Sequence, residues 1–196
     1  MAKILTPKKG SRKEVIIEKA AMLFKSKSYA ATSMRELAEV LGVEAPSLYN
    51  HIGSKSELLQ DICFRVGNKF IGQIKSIEAN DDTITGKLEA IIRFHIQMMI
   101  ENFNEVYVAN HEWKHLHEPY MTDFLNIRRS YEKSLLTLVI AGIDNNEIRP
   151  INPYVAVLTI LSAVRGLEFW QRNKKNISQK VLEDDMVIHL LKGIVN

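Results

Sequence analysis

A single cysteine, no apolar run long enough for a bilayer and no strand-like alternation set the first limits on this 196-residue sequence. Cys63 has no second cysteine with which to form an internal disulfide, and between Ile62 and Phe64 it reads as a small buried apolar residue. The apolar stretches, Ser134 to Ile143 among them, fall short of the ~20 residues a spanning helix needs and keep a helical period. The first residues are basic without an apolar signal core, so a cytosolic protein is expected. Also missing are a Gly-x-Ser-x-Gly turn, a phosphate-cradling glycine loop and a convergent pair of nucleophile and base, so no catalytic residues and no enzyme are expected. His111 and His115 stand one helical turn apart, but zinc needs third and fourth ligands that no second cluster supplies. They read as polar packing residues at the edge of a bundle, and neither a metal nor a cofactor is expected. The charged fraction of 25% and hydrophobic fraction of 46% suit a soluble chain of one or two domains.

What is present is concentrated between residues 33 and 55. Met34, Leu37, Ala38 and Leu41 recur at i, i+3, i+4 and i+7, one face of a helix that Thr32 or Ser33 can cap. Gly42 supplies the positive φ that ends it, and Ala38 is small enough for two helices to cross closely. Val43 and Leu48 complete a small core. Pro46 suits the first turn of a second short helix and leaves Ser47, Tyr49, Asn50 and His51 facing outward. Ser54 or Ser56 then caps a third helix, with Lys55 at its N-terminal edge. The dipole disfavours a cation there, but a lysine so placed can reach a phosphate. The arrangement predicts a DNA-binding helix-turn-helix; the alternative is a structural αα-corner.

Charge follows the same division. Residues 1–55 hold 10 Lys or Arg against 5 Asp or Glu, whereas residues 56–196 hold 16 against 18. Basic character is confined to the DNA-binding head. Lys3, Lys8, Lys9, Arg12 and Lys13 precede the first acidic residue, as in an arm that adds phosphate or minor-groove contacts.

The run Thr32-Ser33-Met34-Arg35-Glu36-Leu37-Ala38, then Gly42-Val43, Ser47-Leu48-Tyr49-Asn50-His51-Ile52 and Ser54-Lys55-Ser56-Glu57-Leu58-Leu59, resembles the TetR family of bacterial transcriptional regulators. The resemblance implies an all-α protein: a three-helix head over residues 1–54 and a helical domain for ligand binding and dimerisation over 55–196. It implies a DNA-facing set of Thr32, Ser33, Arg35, Glu44, Ala45, Ser47, Tyr49, Asn50, His51 and Lys55. Ile52 stands where an aromatic residue is usual, a packing variant. Glu44-Ala45-Pro46 opens the second short helix without a basic residue, and an acid there can accept from cytosine or repel phosphate.

Periodicity predicts helices from about Ser11 to Lys27, Lys55 to Glu78, and near 84–103, 105–117, 119–142, 153–172 and 178–194. The last two are apolar on nearly every side, which requires burial on more than one. In TetR-like proteins such helices pair across a dyad, implying an isologous homodimer with heads ~35 Å or a multiple apart on a near-palindromic operator.

A lining rich in Met and aromatic residues, Phe94, Met98, Met99, Phe103, Tyr107, Trp113, Phe124, Phe169 and Trp170, predicts an apolar cavity; solid core is the alternative. Glu112, Arg128, Arg129 and Arg165 interrupt apolar helices, where a cation needs a partner or an anionic ligand. The chain also resembles the branch of the family that answers to acyl-CoA esters in fatty-acid or steroid breakdown. The similar residues are Glu112-Trp113 before Pro119, Arg128 with Tyr131, the turn from Gly142 to Arg149, and Gly166 with Trp170 followed by a polar loop and Ser178. That resemblance makes Phe94, Met98, Tyr107, His111, Trp113, Arg128, Arg129, Arg165, Phe169 and Trp170 the ligand-facing set. The mechanism it implies is a population shift, in which the effector moves the foot of the 55–78 helix and swings the heads out of register. Two other functions fit less of the sequence: a lipid- or small-molecule-binding protein with a vestigial head, and a helical-bundle enzyme.

Overall fold

The computed structural model describes residues 12–172 and 177–195, and within them the regular structure is helical apart from one antiparallel bridge between Ile148 and Val195. Three helices build the head: α1 (Arg12–Lys27), α2 (Met34–Leu41) and α3 (Ala45–Tyr49). Their shared core is Ile17, Ala20, Ala21, Phe24, Leu37, Ala38 and Leu48, all nearly inaccessible. Each large side chain buried in this way contributes ~1.5–3 kcal/mol of hydrophobic stabilisation, before the entropy of ordering it. The expected arm residues Lys3, Lys8 and Lys9 lie outside the described residues.

Helix α4 (Lys55–Glu78) is capped by Ser54, whose hydroxyl accepts from Glu57 N–H at 3.0 Å, and it runs from the head into the bundle. Against it pack α5 (Ile84–Glu101), α6 (Phe103–His111) and α7 (Tyr120–Asp144); α8 (Pro153–Arg165) packs on α5 and α7, α9 (Leu167–Arg172) on α5 and α8, and α10 (Gln179–Leu191) on α5. Cys63 is fully buried on α4, and burial pushes its thiol up to about 12. Arg149 ties the end of the chain down, donating to the carbonyls of Val195 at 3.0 Å and Lys192 at 2.8 Å.

Two expected helices are broken. Instead of one helix over 105–117, α6 stops at Glu112 and Trp113–His115 forms a separate one-turn 3-10 helix. Leu116, buried and extended, then leads the chain to Pro119, which starts α7 and disfavours helical geometry just before it. The expected 153–172 helix divides at Gly166, where the carbonyl of Gly166 accepts from Phe169 N–H in a tighter i to i+3 turn. After proline, glycine is the least favourable residue in a helix interior. Within one chain the last helices are buried on one side only, as expected of helices that pair across a dyad. Helix α8 buries Ala156, Val157, Ile160 and Val164 yet leaves Tyr154, Val155 and Leu158 57–70% exposed. Val181 and Ile188 of α10 are exposed as well.

Candidate functional site

The head's outer face is set by two sharp caps. Ser33 accepts from Glu36 N–H at 3.2 Å, and Ser33 N–H donates to Glu36 Oε2 at 2.8 Å, a reciprocal box that satisfies two otherwise orphaned donors. Lys27 Nζ donates to the other carboxylate oxygen at 2.6 Å and so joins α1 to α2. The Lys27 hydrogen bond first, and those from Ser33 next, hold the Glu36 carboxyl down at about 2. At the far end Gly42 takes φ +65°, with Gly42 N–H donating to Glu39 O and Val43 N–H to Ala38 O. This paired closure of the last turn sends the chain directly into α3.

Helix α3 is pinned from below by Leu48 and Ile52. Its outer edge presents Tyr49, half exposed, with Asn50, His51 and Glu44 exposed and Ala45 and Ser47 partly so. Ser33 and Arg35 are exposed at the start of α2, Arg35 lying 3.5 Å from Glu39.

A second feature lies inside the bundle, an apolar cavity of about 90 Å³ between α4, α5, α6, α7 and α8. Val66, Gly67, Phe70, Met99, Val106 and Phe124 form much of its wall. Gly67 lets the wall close up there: a Cβ would stand 3.0 Å from Ile127 Cγ2 and 3.3 Å from Phe124, and those side chains would have to give by a few tenths of an ångström. The polar lining is His95, Asn110, Arg128, Tyr131, Glu132 and Arg165. His95 Nε2 and the Tyr131 hydroxyl are 2.7 Å apart. Burial, and secondarily the Arg165 charge, push the His95 imidazole down to about 3, so it is neutral. Arg128 Nη1 is sealed from solvent with no hydrogen-bond partner, and burial and then Arg165 lower the guanidinium's pKa. An unpaired buried cationic donor on a cavity wall favours an anion or a carbonyl oxygen opposite it.

Residues 16–62 match the family described as bacterial regulatory proteins, tetR family, and residues 81–194, more than half the chain, match the tetracyclin repressor-like C-terminal domain. The chain belongs to the TetR family. It is 27% identical over 111 residues to the transcriptional repressor KstR2 of Rhodococcus jostii, an alignment covering 57% of this chain and only 54% of that protein. It is 21% identical over 141 residues to KstR2 of Mycolicibacterium smegmatis, covering 71% of this chain and 69% of that one. Among solved structures, the ketosteroid regulator KstR2 of Mycobacterium tuberculosis superposes with a TM-score of 0.89 at 18% identity, over 98% of this chain and all of that one. AibR, solved with isovaleryl coenzyme A and operator DNA, gives 0.80 at 24% identity over 91% and 97%.

Several expected positions of this TetR-family chain take other places. Thr32 is buried, its hydroxyl donating to Ser28 O at 2.8 Å, so its side chain is withdrawn from the outer face. Lys55 does not extend freely. Its ammonium donates to Tyr29 O at 3.0 Å and Thr32 O at 2.9 Å and sits 4.4 Å from the Tyr29 ring centroid. Lys13, expected in the arm, pairs instead with Asp61 at 2.7 Å, a bond that raises its pKa.

Of the expected ligand set, Arg128 and Arg165 line the cavity, and Trp113 stands behind Arg128 with its ring centroid 5.8 Å from the guanidinium carbon. Phe94 packs edge-on against Phe70 and faces a separate shallow groove. Met98 is buried but not on the cavity wall, where its neighbour Met99 takes the place. Tyr107 stacks on His111, and His111, exposed, pairs with Glu168 at 2.8 Å. Arg129 points outward to Asn126, Phe169 is 71% exposed, and Trp170 is partly buried with its Nε1 enclosed and unpaired. None of these five lines the cavity. His95 and Asn110, which do, were missed by sequence reasoning; a histidine within the apolar run of α5 was the available signal for the first.

Proposed function

We propose that this chain is a cytosolic transcriptional repressor without catalytic activity, whose homodimer holds a near-palindromic operator and releases it when a small acyl-CoA-type effector occupies the cavity. The observation that carries this reading is the coexistence in one chain of an exposed α3 edge and an apolar cavity within the bundle with the unpaired Arg128 Nη1 donor on its wall. Ser33, Arg35, Ser47, Tyr49, Asn50 and His51 are the DNA-facing side chains, residues 1–54 being the head and 55–196 the effector and dimer domain. KstR2 is a repressor, and AibR binds isovaleryl coenzyme A and operator DNA.

The size of the cavity narrows the ligand. At about 90 Å³ it is smaller than the ~150 Å³ that holds a benzene ring, which favours a short or branched acyl group inside the bundle. Arg128 takes an oxygen of that group, and the half-exposed Arg165 is placed at the rim for phosphates. Tyr154, Val155 and Leu158 of α8, with Val181 and Ile188 of α10, supply the apolar dimer face.

Mobility shift of duplex DNA from upstream of the chain's own gene, with and without a panel of acyl-CoA esters, tests this reading. A shift at nanomolar protein that isovaleryl-CoA or a similar short ester abolishes is expected. Failure to shift that DNA or other promoter fragments overturns the regulator; a shift indifferent to every ester overturns the effector.

A further inference from the structure

An unbroken line of side chains leads from the cavity wall to the head. The Arg128 guanidinium sits over Trp113, and Trp113 and His115 occupy the same one-turn 3-10 helix, so neither can move far alone. Glu112, at the start of that turn, is buried; its Oε2 is sealed without a hydrogen-bond partner, 3.4 Å from His115 Nε2. The His115 ring lies almost parallel to Tyr29, centroids 5.3 Å apart. Tyr29 in turn carries the Lys55 ammonium on its ring and, with Thr32, holds it through backbone carbonyls. Thr32 adjoins Ser33, the cap of α2.

We propose that Trp113, Glu112, His115 and Tyr29 are positioning residues that transmit occupancy of the cavity at Arg128 to the Lys55 clamp and hence to the setting of α2 and α3. The inference rests on the effector reading above for its input. An oxygen bound at Arg128 Nη1 draws the guanidinium from Trp113 towards the cavity. Trp113 and His115 are only partly buried, and the turn is a single one between the buried Glu112 and Leu116, so it follows as a unit. The buried Glu112 Oε2 makes no hydrogen bond and faces only His115 Nε2 at 3.4 Å, so a shift of the turn breaks no hydrogen bond to that oxygen. His115 then slides on Tyr29, and the carbonyls that grip Lys55 shift. Coupling of this kind needs an element with two arrangements that both sites bias, and the 3-10 turn is that element.

Two measurements on the full chain test it. Without any ligand, Arg128→Met should speed amide exchange over residues 28–33 about tenfold while circular dichroism stays unchanged. In a His115→Leu background that increment should vanish, and in His115→Phe, which keeps a ring against Tyr29, it should return. An increment of equal size with and without the His115 ring, or none in folded Arg128→Met, overturns the link. With isovaleryl-CoA as probe, operator affinity of the unaltered protein should fall about tenfold. His115→Leu should bind the ester equally well yet lose most of that response, and His115→Phe should recover it. If the ester does not bind the unaltered protein, the effector reading falls and the exchange experiment still decides the link.

Discussion

His95 Nε2 and the Tyr131 hydroxyl, 2.7 Å apart, join α5 to α7 on the wall of the cavity. Phe70 packs against both rings. The pair therefore closes one side of the cavity, and burial rather than this hydrogen bond keeps the imidazole neutral.

Acid should loosen this contact. Burial depresses the His95 pKa to about 3, whereas in the unfolded chain the residue takes up its proton near 6.5. Its contribution is thus intact above ~6.5 and declines by up to about 1.4 kcal/mol per pH unit as pH falls towards the folded value. Urea midpoints followed from pH ~7.5 to ~5 should drop more steeply in the unaltered protein than in His95→Gln, whose amide does not titrate. Equal slopes would show that the imidazole takes up its proton alike in the folded and unfolded chains.

Ser33→Ala removes half of the box that starts α2. A loss of about 1 kcal/mol in denaturant stability is expected, with weaker operator binding because the entry of the head's second helix frays. Unchanged stability would mean that the Lys27–Glu36 tie alone is sufficient.

Lys55→Met leaves the Thr32 carbonyl without its donor and the Tyr29 carbonyl with only the longer bond from Thr32 N–H at 3.3 Å. Hydrogen bonds from a cation to such groups point to a loss of about 2 kcal/mol in stability. Operator affinity should fall more than tenfold while the salt slope changes by less than ~1, since two of three N–H groups are already engaged. A slope lowered by a full unit at unchanged stability would return Lys55 to a phosphate.

Leu158→Lys places a charge in the exposed apolar face of α8, where Leu158 is 65% exposed. Light scattering should give the mass of one chain, with the helical spectrum preserved. A surviving dimer would put the interface elsewhere.

Gly142→Ala drives a Cβ to 2.5 Å from Ile148 Cδ1 and 2.9 Å from Ile84 Cγ2. Overpacking of this kind costs about 1–3 kcal/mol, and thermal melting should register it. An unshifted melting temperature would mean that the Ile148 side chain moves aside freely.

Much of the head was legible because its signals are local. Met34, Leu37, Ala38 and Leu41 with Ser33 and Gly42 define α2 within ten residues, and Ser54 and the Asn80-Asp81-Asp82 cluster bracket α4 from Lys55 to Glu78. The cavity was legible only in its chemistry. Arg128 and Arg129 look alike in sequence, yet one residue on a helix is a rotation of about 100°, enough to send one into the bundle and the other into solvent. The same rotation separates Met99 from Met98.

Residue types, spacing and caps determined by themselves that this chain is helical and that its head turns sharply between two short helices; each depends on neighbours within a few residues. Only tertiary structure decided that Lys55 grips carbonyls 23 and 26 residues away, that Lys13 pairs with Asp61, and that His115 lies on Tyr29. Those partners meet because α1, α4 and the turn after α6 are packed side by side. A free charge or ring takes whichever partner the packing of the helices brings within reach, and no local pattern records that choice.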